Sequence, residues 1–370
     1  MKAIAINPGT TTVKLVDRPE PTITQPDEIK LRVLHVGICG TDREETSGGR
    51  ADAPPGSTEL VIGHEMFGQV VEVGKAVTRV RPDDYAVFTV RRGCGQCLPC
   101  LMNRSDMCRT GHYRERGIKG EDGYQTEFVV DTEQYLIPVP SGLQSIGVLS
   151  EPLSVVVKAI DEAGRLQMAR LPEAPALLDW PHGCRCLVSG LGPVGLLAAM
   201  VMLLHGAEVT GMDIVPADSA RPQWLTTLGG RYVDDRNTPP EKLVDLVGAM
   251  DIIIEATGVP KLAFNLIDAL ARNGLYVLVG IPGNEREIPV AGAELLRRLV
   301  LNNQVLMGSV NAARPHFQLA IDVLQCAHDR WGQQVERLIT HHFPAAKFSE
   351  ALALHDPNAI KVVVDWGSTP

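Results

Sequence analysis

The sequence predicts an α/β protein: a β-rich N-terminal part followed by a doubly wound parallel sheet. Two observations carry that reading. Up to about residue 140, short runs of Val, Ile and Phe sit between Gly, Pro and Asp punctuators, the texture of turn-linked strands. From about Cys184, strand-like and helix-like segments alternate, which is how parallel strands are connected.

The strand-like runs of the first part are Ile29–Val36, Gly68–Val73, Tyr85–Val90 and Thr126–Val130. A helix is predicted from Ser150, read as its N-cap, with Glu151 and Pro152 in the first turn and an end near Arg170. Leu171–Gly183, with three Pro, reads as a linker or surface insertion. Strand Cys186–Ser189, helix Pro193–His205 and strand Glu208–Met212 then make a β-α-β unit. Strand Asp251–Ala256, helix Lys261–Ala271 and strand Leu275–Val279 continue the alternation. A helix over Pro315–His328 and a strand over Lys361–Asp365 follow.

At 370 residues the chain is too long for one small core. Its net charge of −9, with both signs well mixed, disfavours nucleic acid and anionic membranes as partners, since both attract basic surfaces. Met1–Ile6 reaches Asn7-Pro8-Gly9 too soon for a signal peptide. The longest apolar stretch, Leu191–Leu204, contains two Gly and a Pro and is too short to span a bilayer. A cytoplasmic location is therefore expected, where eight Cys are thiols or metal ligands rather than disulfides.

Gly190-Leu191-Gly192-Pro193-Val194-Gly195 lies between a predicted strand and a predicted helix. Glycine clusters more often mark ordinary turns, but this context supplies what a dinucleotide needs. It offers a tight turn, close backbone approach and the free N–H groups of a helix N-terminus for a pyrophosphate. Asp213, 23 residues after Gly190, closes the next strand, where a carboxylate would accept both hydroxyls of the adenosine ribose. A carboxylate there repels a 2′-phosphate, and no Arg follows before Arg221, so NAD is favoured with NADP as the alternative. Thr257-Gly258 is a second strand-end turn, either facing the cofactor or a plain loop.

Cys94, Cys97, Cys100 and Cys108 follow C-x2-C-x2-C-x7-C spacing. Four thiolates this close can enclose one zinc with no open position, a structural site. An iron–sulfur cluster is the competing ligand reading. A nucleic-acid-binding zinc ribbon is disfavoured by the acidic chain. Three more candidate ligands are scattered: Cys39 after an apolar strand, His64 before another, and Glu151 opening a helix. Singly, each has an ordinary explanation as a core thiol, a satisfied imidazole or a helix-start carboxylate.

Taken together, Cys39-Gly40-Thr41-Asp42, Gly63-His64-Glu65, the four-Cys run, Glu151-Pro152 and the glycine fingerprint resemble the zinc-containing medium-chain dehydrogenase/reductase family over nearly the whole chain. Only Leu166–Gly183 stands out as extra. The resemblance implies a distorted, GroES-like β-barrel catalytic domain over residues 1–183 and 307–370, with a Rossmann domain over 184–306 inserted into it. It implies two zinc ions per chain. Cys39 and His64 would bind the catalytic one, with Glu65 and Glu151 completing the sphere directly or through water. Asp42 would orient His64 through its other ring nitrogen, and Thr41 would touch the substrate oxygen and start a proton relay.

The segments Thr89–Cys94, Glu115–Gly120, Gly123–Phe128 and Gly308–Asn311 narrow the resemblance to the aldose-oxidising glucose dehydrogenase branch. There Glu115 would hold sugar hydroxyls and Asn311 would lie by the nicotinamide. Without the resemblance, Glu115 reads as an exposed loop carboxylate. The branch's NADP-using members carry small polar and Arg residues where this chain has Asp213, so their cofactor preference is not carried over. The implied reaction is oxidation of an aldose to its lactone with hydride transfer to NAD(P). The rivals are a polyol, threonine or simple alcohol dehydrogenase on the same scaffold. A silent structural relative or a zinc-free reductase should have lost Cys39, His64 or Glu151, and none is lost. A homodimer or homotetramer is expected.

Overall fold

In the computed structural model, residues 1–171, 180–238, 240–283 and 287–367 are described. The chain forms two units. One comprises residues 1–154, 311–328 and 335–370, and the other residues 155–310 and 329–334.

The first unit is built on a mostly antiparallel seven-stranded sheet whose centre is the Glu28–Ile38 strand. That strand buries Ile29, Leu31 and Val33 at alternate positions on one face, with Arg32 exposed between them, and Val36 is buried near its end. Its neighbours are Glu65–Val73 on one side and Lys361–Asp365 on the other. The C-terminal strand is thus a structural neighbour of the N-terminal segment. The register pairs Gly37 with Glu65 and Ile38 with Val362, so the ends of three strands meet at one place. A Cβ at Gly37 would displace the Glu65 carboxylate and the end of the Lys361 side chain, which meet over it.

The second unit carries six parallel strands in the order Arg231–Asp234, Glu208–Asp213, Arg185–Ser189, Met250–Glu255, Leu270–Leu278 and Val305–Gly308. The order reverses at Arg185–Ser189, the first strand of the unit, as a doubly wound sheet requires. The predicted β-α-β unit is present, with its helix at Pro193–Leu204 buried along nearly its whole length.

Several expected boundaries move. Ser150 is not an N-cap: its backbone is already helical, and its hydroxyl donates to the Gly147 carbonyl at 2.5 Å. A 3-10 turn over Gly147–Leu149 runs directly into the Ser150–Arg170 helix, so the start needs no separate cap. The helix expected over Lys261–Ala271 ends at Asn265 and passes through a 3-10 turn into the Leu270–Leu278 strand. Leu266, Ile267, Ala269 and Leu270 are all buried, a run without the open polar face a surface helix would keep. The helices Ala220–Thr227 and Gly292–Leu301 and the strand Ile339–Pro344 were not foreseen. The proposed insertion at Leu171–Gly183 lies largely outside the described residues. No described helix is long and apolar enough to cross a membrane.

Candidate active site and cofactor site

Cys39 ends the central strand and starts the Gly40–Thr46 helix as its N-cap. Its thiol accepts from the Thr41 backbone N–H at 3.2 Å, while the Asp42 carboxylate accepts from the Cys39 backbone N–H at 2.8 Å. This reciprocal box fixes the thiol's direction with local bonds alone. His64 enters from the segment before the Glu65–Val73 strand and brings Nε2 to 3.2 Å from Cys39 Sγ. Cys39, His64 and Glu65 each place a donor atom within 4.8 Å of the other two. A thiol, an imidazole and a carboxylate are the donor types zinc takes, so the residues present fit the ion. Burial pushes the Cys39 thiol up, with His64 pulling the other way. Burial would lower His64, but the charges of Cys39 and Asp42 outweigh it and hold His64 well above its ordinary value.

Two expected roles look different in three dimensions. Asp42 does not hydrogen-bond His64: its Oδ1 and His64 Nδ1 are both buried without hydrogen-bond partners, while Oδ2 accepts the helix-cap bond. Its influence on the imidazole is through charge. Glu151 is not a member of the close donor cluster, although its pKa is raised to about 7, chiefly by burial, with His64 pulling it down and Glu65 pushing it up.

Two further residues escaped the sequence reading. Lys361 is buried, pairs with the Glu65 carboxylate and donates to the Ile38 carbonyl at 3.1 Å. Nothing in the sequence marks it, since a Lys opening a strand usually faces water. Glu45, one helical turn after Thr41, is fully buried with neither carboxylate oxygen hydrogen-bonded, and burial followed by the Asp42 charge pushes its pKa up to about 9.

The four-Cys run folds into a separate lobe around the Leu98–Leu101 helix. Cys94 and Cys100 Sγ lie 3.8 Å apart and Cys97 and Cys100 Sγ 3.4 Å, close to the ~3.8 Å edge of a tetrahedron with 2.3 Å zinc–sulfur bonds. All four sulfurs lie within 4.8 Å of one another. Hydrogen bonds from Thr110 and the Cys97 and Gln96 backbones lower Cys94 to about 5, favouring the thiolate a metal binds.

Glu115 is buried on the Arg114–Arg116 strand, not exposed on a loop. Its Oε1 accepts from Arg91 Nε at 3.0 Å, Arg91 Nη2 at 2.9 Å and Asn311 Nδ2 at 2.5 Å. Two positions the sequence reading gave separate tasks, Glu115 and Asn311, are therefore one hydrogen-bonded pair. Asn311 sits at φ 59°, a left-handed conformation Asn tolerates better than most residues.

In the parallel-sheet unit Gly190 has φ 89°, and a Cβ on Gly195 would strike the Gly190 carbonyl oxygen. Gly192 caps the helix and Pro193 occupies its first turn. Asp213 ends the neighbouring strand, accepting from Leu191 N at 2.7 Å and Ile214 N at 2.6 Å. Arg221 Nη1 stands 4.0 Å from its Oδ2. Thr257 N and Gly258 N donate to the Glu255 carboxylate at 2.6 and 3.1 Å, which shapes that turn.

A mostly antiparallel sheet bearing a Cys-His-Glu donor cluster and a four-Cys lobe, joined to a parallel dinucleotide fold, defines a zinc-type medium-chain dehydrogenase/reductase. Residues 25–141 match the alcohol dehydrogenase GroES-like domain and residues 144–366 the glucose dehydrogenase C-terminus. The chain is 38% identical to glucose 1-dehydrogenase of Methanocella arvoryzae over the whole of both chains. It is 38% identical to that of Thermoproteus tenax over 98% of this chain and 99% of the relative. The solved glucose dehydrogenase of Haloferax mediterranei, in complex with NADP, Zn and gluconolactone, superposes with a TM-score of 0.87 at 32% identity over both full chains. The chain belongs to the glucose dehydrogenase family. Its two cysteine-containing donor clusters are those of a structural and a catalytic zinc, and its parallel-sheet unit is of the NAD(P)-binding type.

Proposed function

We propose that this protein oxidises an aldose at C1 to the lactone, passing hydride to NAD(P), with NAD preferred. Glu115 carries the reading. It is a buried carboxylate whose protein hydrogen bonds all end on Oε1, among the described residues, which leaves Oε2 to accept from adjacent sugar hydroxyls. Its neighbours Arg91 and Asn311 keep it oriented, and the relatives named glucose 1-dehydrogenase support the substrate class.

Cys39, His64 and Glu65 would hold the catalytic zinc, with Glu151 nearby, and Cys94, Cys97, Cys100 and Cys108 the structural one. Bound zinc supplies Lewis acidity, stabilising the deprotonated substrate hydroxyl. Thr41 would pass the proton on as first member of a relay, accepting it at its hydroxyl oxygen while releasing its own toward solvent. Asp42 fixes Cys39 and adds negative charge beside His64. Gly190, Gly192, Pro193, Val194 and Gly195 would receive the pyrophosphate, Asp213 the adenosine ribose and Thr257-Gly258 the rest of the cofactor, while Asn311 serves the nicotinamide. Functionally, residues 1–183 and 307–370 make the catalytic domain and 184–306 the dinucleotide domain. A cytoplasmic location and a homodimer or homotetramer belong to the same reading.

The test is an initial-rate panel of aldoses, polyols and simple alcohols with each cofactor, on the parent and Glu115→Ala. Hydrogen bonds to a charged group are worth ~1.5–3 kcal/mol, so the variant should lose roughly 10–200-fold in kcat/KM on its best aldose. A simple alcohol should be affected far less. A parent enzyme that prefers ethanol or threonine to every aldose removes the sugar reading.

A further inference from the structure

Away from both cysteine-containing clusters, three strands of the seven-stranded sheet bring two histidines and an aspartate together. His35 lies on Glu28–Ile38, Asp365 on Lys361–Asp365 and His342 on the edge strand Ile339–Pro344. Asp365 is directly opposite His35, and His342 is opposite Val363, two residues from Asp365. Side chains two residues apart return to the same face of a sheet, so all three project from one face. His35 Nδ1 and His342 Nδ1 lie 2.8 and 2.9 Å from the same Oδ1 of Asp365. The two rings meet edge-on with centroids 5.8 Å apart, and His35 stacks on Phe67 at an interplanar angle of 9°, which fixes its plane.

We propose that His35, His342 and Asp365 form a third metal site, which takes a zinc-like divalent transition ion through two imidazole nitrogens and a carboxylate oxygen. One donor atom of each residue lies within 4.8 Å of the others. Imidazole with carboxylate suits zinc and its neighbours, whereas calcium and magnesium seek all-oxygen sites. Zinc bonds of about 2.0–2.2 Å place tetrahedral donors about 3.3–3.5 Å apart, so the observed N···O spacings need open by only about 0.5 Å. Each ring binds as the neutral imidazole, so the proton that now bridges Nδ1 to the carboxylate passes through solvent to Nε2 of the same ring, and the ion takes its place between Nδ1 and Oδ1.

Access and preorganisation also fit. The side chains of His342, His35 and Asp365 are 49%, 30% and 22% exposed, so an ion can enter and water can complete its coordination. Ladder hydrogen bonds hold the three backbones, so few degrees of freedom remain to be fixed on binding. Burial pushes the Asp365 carboxyl up, but the hydrogen bonds from His35 and His342 more than offset this and keep it ionised. Filling the site would tie the edge strand to two interior strands.

The test is equilibrium dialysis of the enzyme, with its two zinc sites filled, against increasing zinc, counting metal by mass spectrometry and following thermal unfolding. The parent should take up a third equivalent, and its Tm should rise as that ion binds. His342→Ala should lose the third equivalent and the zinc-dependent rise in Tm while retaining two zincs and parental initial rates. Losing even a supporting partner of a ligand weakens binding about 10–100-fold, so loss of a ligand should exceed that range. Asp365→Asn serves as an independent second variant. A parent that saturates at two equivalents, or variants that bind the third ion as tightly as the parent does, would overturn the site.

Discussion

Replacing Lys361 with Met tests how the catalytic donors are held. The ammonium pairs with Glu65, the residue after His64, and donates to the carbonyl of Ile38, the residue before Cys39. One buried cation therefore ties together the two segments that supply the first zinc ligands. Its charge also acts on Glu151, in addition to Glu65. Met nearly conserves volume, so the cavity cost is small and the charge effect dominates. Breaking a buried ion pair from one side costs about 3–5 kcal/mol, a large share of a total stability of about 5–15 kcal/mol. At about 2–4 °C per kcal/mol, the Tm should fall by roughly 6–20 °C. Urea unfolding at fixed free zinc, with zinc counted per chain, measures the effect. Made in a Glu65→Gln background, which removes the partner charge, the same Lys361→Met change should cost far less than it does in the parent. The reasoning fails if Lys361→Met unfolds within about 1 kcal/mol of the parent, or if it costs as much in the Glu65→Gln background as in the parent.

Cys108→Ser should lose one zinc and much of the stability, because a closed four-thiolate site contributes folding energy; elemental analysis finding iron in that lobe, or an unchanged metal count, would contradict it. Asp213→Ser should raise the NADP/NAD ratio of kcat/KM by about 10–100-fold, since it removes a carboxylate that repels a 2′-phosphate and leaves Arg221 close by; initial rates with both cofactors decide it. Asp131 accepts from Arg92 at 2.6 Å and Arg116 at 2.7 Å, and although burial pushes its carboxyl up, those charges hold it below the ordinary value. Its folded pKa being depressed, its contribution is full above the unfolded value near ~4 and disappears as pH falls through the folded value. Asp131→Asn should thus be well below the parent in stability at pH 6, with the gap narrowing below about pH 4 in urea titrations.

The sequence by itself determined what local pattern and donor chemistry can specify. The four Cys within fifteen residues need only a short loop to meet, so spacing alone was enough to predict their cluster. The fingerprint at Gly190–Gly195 and the end of the next strand at Asp213 belong to one β-α-β unit, whose period and glycine requirement are local. Cys39, His64 and Glu65 were legible only because several short motifs resembled one family together, as no local rule joins residues 25 positions apart.

Tertiary structure decided the rest, because it depends on which distant strands become neighbours. Antiparallel pairing of Lys361–Asp365 with the central strand carries Lys361 to Glu65 and Asp365 to His35 across more than 290 residues of chain. The fold likewise turned Glu115 from an apparent loop carboxylate into a buried partner of Arg91 and Asn311. Asp42 shows the limit from the other side. Its position was legible, but the direction of its carboxylate was not: Oδ2 caps the helix, and the free Oδ1 is not bonded to His64 Nδ1. Residue type and spacing state what a side chain can do, and the strand register states which partner it meets while doing it.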